Sequence, residues 1–188
     1  MGLKVIVLTI LLVTGTGSSA MASPAAALGP CDNEQLGADA RCGKVTVLED
    51  RVAEKGRTVD LDVVVLPATG TEVREPLFFL AGGPGQAGTD LAILALQPFA
   101  AVREVRDVVL VDQRGTGSSG RIDCPVDADE RPQDVFGGLF DPEHTRRCLQ
   151  SARQHADPRL YTTDLAVDDL DQVRHELGYE KVLLAGGS

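Results

Sequence analysis

Three glycine-bearing segments, each at the end of an apolar run, contain residue types suited to acyl transfer. Ala81-Gly82-Gly83-Pro84-Gly85 follows LFFL, and glycines there let backbone N–H groups approach a ligand closely. Such N–H groups stabilise the negative charge that develops on a carbonyl oxygen. Gly186-Gly187-Ser188 follows VLLA and matches the start of G-x-S-x-G, the strand-to-helix turn that exposes a nucleophilic serine. Asp112-Gln113-Arg114-Gly115 follows VVLV and is the third candidate segment.

The hydrophobic pattern predicts the elements that position these segments. Strands are predicted at 44–48, 59–66, 77–81, 108–111 and 181–185. Helices are predicted at 89–102, 143–155 and 164–177. The first two strands predict an antiparallel hairpin, whereas the three later ones are apolar throughout, which is typical of strands buried on both faces of a parallel sheet. The predicted fold class is α/β, with a mixed, mostly parallel sheet and flanking helices.

In an open parallel sheet, the loops at the carboxyl ends of the strands form the binding crevice. All three glycine-bearing segments are predicted at such ends, which favours one shared site.

The segments PLFFLAGGPG, VVLVDQRGTGSS and TTDLAVDDLDQVRHELGYEKVLLAGGS together resemble the proline iminopeptidase and tripeptidyl aminopeptidase group of α/β-hydrolases. The resemblance extends from Cys42 to Ser188, and the leading CGKVTVLEDR fits the secreted branch. It implies a serine hydrolase that cleaves peptides with a free N-terminus and needs no cofactor or metal, with a secreted esterase as the alternative. It implies Ser188 as the nucleophile and Gly83 as an oxyanion-hole donor. The supporting residues that it implies are Gly82, Pro84, Gly85, Asp112, Arg114 and Gly186.

The sequence departs from this family in two ways. Ala81 stands where proline iminopeptidases usually have histidine, which favours the tripeptidyl branch. The family's acid and histidine follow the serine in the chain, so we expect the chain to be the N-terminal part of an α/β-hydrolase domain, truncated at the nucleophile turn, incomplete and inactive alone. We also expect uncovered apolar faces and an open strand edge.

The histidines and a cluster of aspartates are predicted to be surface groups. We expect this of the three histidines His144, His155 and His175. The acids Asp164, Asp168, Asp169 and Asp171 are expected to form a solvated helix start that complements the helix dipole.

The N-terminus predicts export. Residues 1–22 have an apolar run, Val5–Val13, too short to span a bilayer, followed by an A-x-A cleavage motif that ends at Ala22. Residues 23–43 are predicted to be irregular, and residues 44–188 to be the hydrolase portion. Four cysteines allow three pairings, of which we favour Cys31–Cys42 and Cys124–Cys148, because each pair encloses a loop-like stretch. The predicted location is extracellular.

Composition excludes some partners and leaves two other function classes open. A net charge of -10 without a basic cluster excludes nucleic acid, and after signal cleavage no membrane segment is predicted. The run from Gly83 to Gly88 fits G-x-G-x-x-G, with Asp112 24 residues later, so an NAD-binding dehydrogenase is an alternative. Export argues against it, because nicotinamide cofactors are scarce outside the cell. A hydrolase-like binding module without catalysis is the other alternative.

Overall fold

The computed structural model describes residues 28–123 and 142–187. In them, one sheet contains the strands β1 Gly29–Pro30, β2 Arg41–Leu48, β3 Thr58–Leu66, β4 Leu77–Leu80, β5 Val108–Val111 and β6 Leu183–Gly186. The α-helices are α1 Ala92–Ala95, α2 Ala100–Arg103, α3 Pro142–Ala152 and α4 Thr163–Glu176. Short 3-10 helices cover Glu34–Leu36, Thr89–Leu91 and Pro158–Leu160.

The sheet is mixed, and its strand order is β1-β2-β3-β5-β4-β6. The pairs β1–β2, β2–β3 and β3–β5 are antiparallel, whereas β5–β4 and β4–β6 are parallel. Consequently β2, β5, β4 and β6 all run in one direction, and β1 and β3 run against them. The predicted α/β class with a mixed, mostly parallel sheet is confirmed.

The β2–β3 hairpin extends beyond the carboxyl end of β5, because Val111 at that end pairs with Val63 in mid-β3. On one face of the extension, Asp60 accepts a hydrogen bond from Thr46 at 2.6 Å, and Asp62 pairs with Lys44 at 3.1 Å. Val59 and Leu61, which alternate with these acids along β3, face the core. This explains why β3 alternates at its start and becomes continuously apolar where it enters the sheet.

Helices cover both faces of the sheet. On one face, Val173 of α4 packs in a core with Phe78 and Val109. On the other face, Ala92 and Ala95 of α1 pack against strand residues that include Leu110. This two-sided burial explains the fully apolar sequence of β5, all of whose residues are buried.

Three predictions about helices and strands differ from the structure. The helix predicted over 89–102 is broken into a 3-10 turn, α1 and α2, because Pro98 has no N–H and disfavours helical backbone in the residue before it. The segment 23–43, predicted to be irregular, contains β1, a 3-10 helix and the first residues of β2. The strand predicted to be buried at 181–185 is β6, where Leu183 and Leu184 are 45% and 64% exposed, because β6 pairs only with β4 in the described sheet.

Cys31 and Cys42, one of the two favoured pairs, form a disulfide. The other favoured pair, Cys124–Cys148, stays a prediction, because Cys124 lies outside the described residues. The predicted signal peptide 1–22 also lies outside them. In the described part of the chain, every helix falls short of the length and apolarity that crossing a membrane requires.

Candidate active site at the carboxyl ends of the parallel strands

The loops that follow β4 and β6 leave the sheet side by side. Leu80 and Gly186, the last residues of these strands, are partners in the parallel register. One residue further, Gly187 donates its N–H to the Leu80 carbonyl at 3.2 Å. Ser188 itself lies outside the described residues. Gly187, which precedes Ser188, is therefore hydrogen-bonded to Leu80, and Leu80 directly precedes the glycine-rich segment.

The chain connections diverge at this end of β4. From β4 the chain goes to β5 on one side, whereas β6 lies on the other side of β4. Open α/β sheets bind ligands where connections diverge in this way, at the carboxyl ends of the strands.

The Gly82–Gly85 turn presents backbone N–H groups at this edge. The turn is closed by a hydrogen bond from the Gln86 N–H to the Gly82 carbonyl at 3.3 Å. Gly83 has φ +114°, and a Cβ there would lie 3.0 Å from the Gln86 nitrogen, so only glycine fits without strain. The Gly83–Pro84 bond is cis. Gly83 is exposed, and its N–H has no hydrogen-bond partner among the described residues, so it is available to a ligand.

Asp112, at the end of β5, is buried and holds two loops together. Its Oδ1 accepts the Thr89 N–H at 2.8 Å, and its Oδ2 accepts the Ser118 N–H at 3.4 Å. Burial raises the pKa of the Asp112 carboxyl above its usual value, although both amide hydrogen bonds oppose this. The carboxylate therefore binds backbone N–H groups and does not face open solvent.

Arg114 forms a buried hub beside this edge. Its Nε and Nη2 donate to the two oxygens of Asp169 in α4 at 2.6 and 2.7 Å. Its other N–H groups donate to the carbonyls of Leu48, Glu49 and Leu160. All five guanidinium donors are thus used on protein groups, which suits a role in joining β2, β5 and α4.

The prediction that Asp169 is a solvated group at the helix start is wrong. Asp169 is 1% exposed and binds Arg51 as well as Arg114. The sequence did contain a signal, because Asp169 is three residues after Ala166 and four before Val173, and both are buried. Helical spacing therefore put Asp169 on the face of α4 that meets the core.

Two further buried polar residues had no clear sequence signal. Glu49 accepts hydrogen bonds from Arg57 at 2.7 Å and from the Asp157 N–H at 2.8 Å. Ser119 is fully buried, and its hydroxyl oxygen accepts the Asp62 N–H at 2.8 Å. Most of these partners are far away in sequence, so only the folded chain reveals the contacts.

None of the three histidines is buried. His175 is exposed in the last turn of α4, which leads to the amino end of β6. His155 is exposed and His144 is half-buried. In residues 28–123 and 142–187, no group of three or more His, Cys, Asp or Glu side chains is arranged to hold a metal ion.

The structure also bears on the dinucleotide alternative. In that arrangement an acid at the end of the second strand must be free to bind ribose hydroxyls. Asp112 is 2% exposed, and both of its oxygens accept backbone N–H groups. This carboxylate is therefore poorly placed to bind a ribose.

Comparison with known proteins gives partial structural neighbours. No protein-family model and no curated protein matches the chain. A proline iminopeptidase-related protein from Thermus thermophilus has 27% identity and a TM-score of 0.42, over 78% of this chain and 36% of its own. A putative alpha/beta hydrolase from Nostoc sp. PCC 7120 has 18% identity and a TM-score of 0.40, over 78% and 34%. A proline iminopeptidase from Mycobacterium smegmatis has 21% identity and a TM-score of 0.39, over 77% and 35%. The chain spans about a third of the length of each.

Proposed function

We propose that this chain contributes the nucleophile and the oxyanion loop of a secreted serine hydrolase of the α/β-hydrolase type. The substrates are peptides with a free N-terminus, of prolyl or tripeptidyl type. The observation that carries the proposal is the parallel pairing of β4 with β6. Because of it, the glycine-rich turn and the Gly-x-Ser segment begin at neighbouring strand ends. The Cys31–Cys42 disulfide supports an oxidising compartment.

In the proposed reaction, the Ser188 hydroxyl gives its proton to the catalytic histidine as its oxygen attacks the peptide carbonyl carbon, and the N–H of Gly83 stabilises the resulting oxyanion. The C–N bond then breaks, the amine leaves with a proton from the catalytic histidine, and water hydrolyses the acyl-serine. The family order places the acid and the histidine after the serine. The hydrolytic activity is therefore a property proposed for the complete product of the gene that encodes these residues.

The test uses that complete product. We expect it to release p-nitroaniline from tripeptidyl or prolyl substrates, and Ser188→Ala to abolish this release. Ser151→Ala, on α3, is the matched serine control and should retain activity. Acetylating the substrate amine should block cleavage. Ser188-dependent cleavage of esters without any cleavage of free-amine peptides would instead identify an esterase, and equal rates in wild type and Ser188→Ala would overturn the hydrolase proposal.

A second variant tests the oxyanion loop. Gly83→Ala forces a side chain into a backbone conformation with φ +114° and against Gln86, so the Gly83 N–H should move. Loss of one oxyanion donor lowers kcat by about 10²–10³-fold. Gly56→Ala is the matched control, since Gly56 has φ +111° with nothing near its Cβ position, in the β2–β3 connection. Equal kcat values for the two variants would contradict the role of Gly83.

A further inference from the structure

The far end of the glycine-rich loop is anchored by a side chain from the neighbouring strand. Three residues after the Gln86 turn, the Thr89 N–H donates to Oδ1 of Asp112 at 2.8 Å. Ala87 and Gly88, between the turn and this anchor, are buried. Few residues therefore separate the Gly83 N–H from Thr89, which is hydrogen-bonded to Asp112 directly after β5.

Two close approaches show that the loops are shaped around the end of β5. A Cβ on Gly88 would lie 2.5 Å from the Val111 carbonyl oxygen. A Cβ on Gly117 would lie 1.9 Å from Oδ2 of Asp112. Because a side chain at either position would collide with backbone or with the carboxylate, both loops pack directly on this strand end.

Asp112 is a costly residue to bury. It is 2% exposed, and among the described residues its carboxylate forms no ion pair and is held by the backbone N–H groups of Thr89 and Ser118 and by the Thr89 side chain. A buried carboxylate is tolerated where hydrogen bonds compensate for lost water. Here the bonds join the loop after β4 to the loop after β5, and both loops border the candidate crevice.

We propose that Asp112 is a positioning residue for the oxyanion loop, which holds the Gly83 N–H in place through Thr89. This inference rests on the proposed function for its catalytic consequence, but the loop anchoring can be measured without activity. Asp112 touches no reacting atom in this account.

The first experiment measures amide hydrogen exchange in the 188-residue chain. Asp112→Ala removes both acceptors, so exchange of the protected amides among residues 82–89 should rise at least about tenfold relative to exchange in α4, since hydrogen bonds to charged groups contribute about 1.5–3 kcal/mol. Asp112→Asn should show a smaller rise, because its carbonyl oxygen still accepts from Thr89 while its amide opposes the Ser118 N–H.

The matched control is Asp107→Asn, just before the other end of β5. Asp107 likewise accepts a backbone N–H, from Ala68 at 2.8 Å, and also the Tyr179 hydroxyl at 2.6 Å. It should leave the exchange of residues 82–89 unchanged relative to α4. An equal rise in the loop and in α4 for the Asp112 variants would mean general destabilisation and would overturn the proposal. Should Asp112→Ala fail to fold, the test is the exchange of residues 82–89 in Asp112→Asn compared with Asp107→Asn. A larger rise in Asp112→Asn supports the proposal, and an equal rise overturns it.

The second experiment separates this inference from the proposed function. In the complete gene product, Asp112→Ala should lower kcat about 10- to 100-fold with KM nearly unchanged, and Asp112→Asn should restore part of the loss. A raised KM with unchanged kcat would overturn the positioning role. If the wild-type protein shows no Ser188-dependent turnover, the proposed function fails, and the exchange experiment still decides whether Asp112 anchors the loop.

Discussion

Replacing Asp169 by asparagine tests the buried hub that joins α4 to the sheet. The Asp169 carboxylate accepts from Arg114 at 2.6 and 2.7 Å and from Arg51 at 2.7 Å. The side chains of Arg114 and Asp169 are 1% and 2% exposed, so water does not replace the lost bonds. Breaking a buried ion pair by removing one partner costs about 3–5 kcal/mol. Because Arg114 keeps three carbonyl acceptors, we expect a loss in the free energy of unfolding of about 3 kcal/mol.

The assay is urea unfolding followed by far-UV circular dichroism, since the chain has no tryptophan. With m-values of about 1–3 kcal/mol/M, the midpoint should fall by about 1–3 M. Asp168→Asn is the matched control, because Asp168 is the exposed neighbour of Asp169 on the same helix, and it should change the free energy of unfolding by less than about 0.5 kcal/mol. Equal midpoints for the two variants would refute the assignment of the hub.

Three further outcomes follow from the structure. Gly117→Ala, whose Cβ would meet the Asp112 carboxylate at 1.9 Å, should lower stability by at least about 2 kcal/mol; an unchanged Tm would contradict this close approach. Replacing both Cys31 and Cys42 by serine opens a crosslink between residues 11 apart, which should lower the free energy of unfolding by roughly 3 kcal/mol in urea titrations. The hydrogen bond from Arg159 lowers the pKa of the Asp157 carboxyl to about 2. The ionised carboxylate therefore stabilises the fold above its ordinary pKa of 3.8, and this stabilisation is lost as the pH falls through 2. Asp157→Asn should reduce the acid-induced loss of stability in that window, and identical pH profiles would argue against the pair.

Periodicity predicted the elements whose burial is uniform along their length. β5 was predicted with its observed bounds, because both of its faces are covered and every residue is apolar. Helix α4 was predicted within one residue at each end, since Ala166, Leu170 and Val173 lie on its buried face. The helix at 89–102 failed because the effect of Pro98 on the backbone outweighed the apolar pattern.

Long-range polar contacts could not be predicted in the same way. Arg114 meets Leu48, Leu160 and Asp169, each 46 or more residues away in sequence. Local composition contains no information about such partners. Only the helical spacing of Asp169 pointed to burial, and it indicated a face rather than a partner.

The sequence by itself determined the α/β class and the glycine-bearing segments at the strand ends, because side-chain periodicity and the backbone freedom of glycine are local properties. Tertiary structure decided which ends are neighbours. The placing of β6 against β4, and of Asp112 against Thr89, depends on strand order and on packing between distant segments. Those pairings bring the ends of separate motifs together, and no local pattern encodes them.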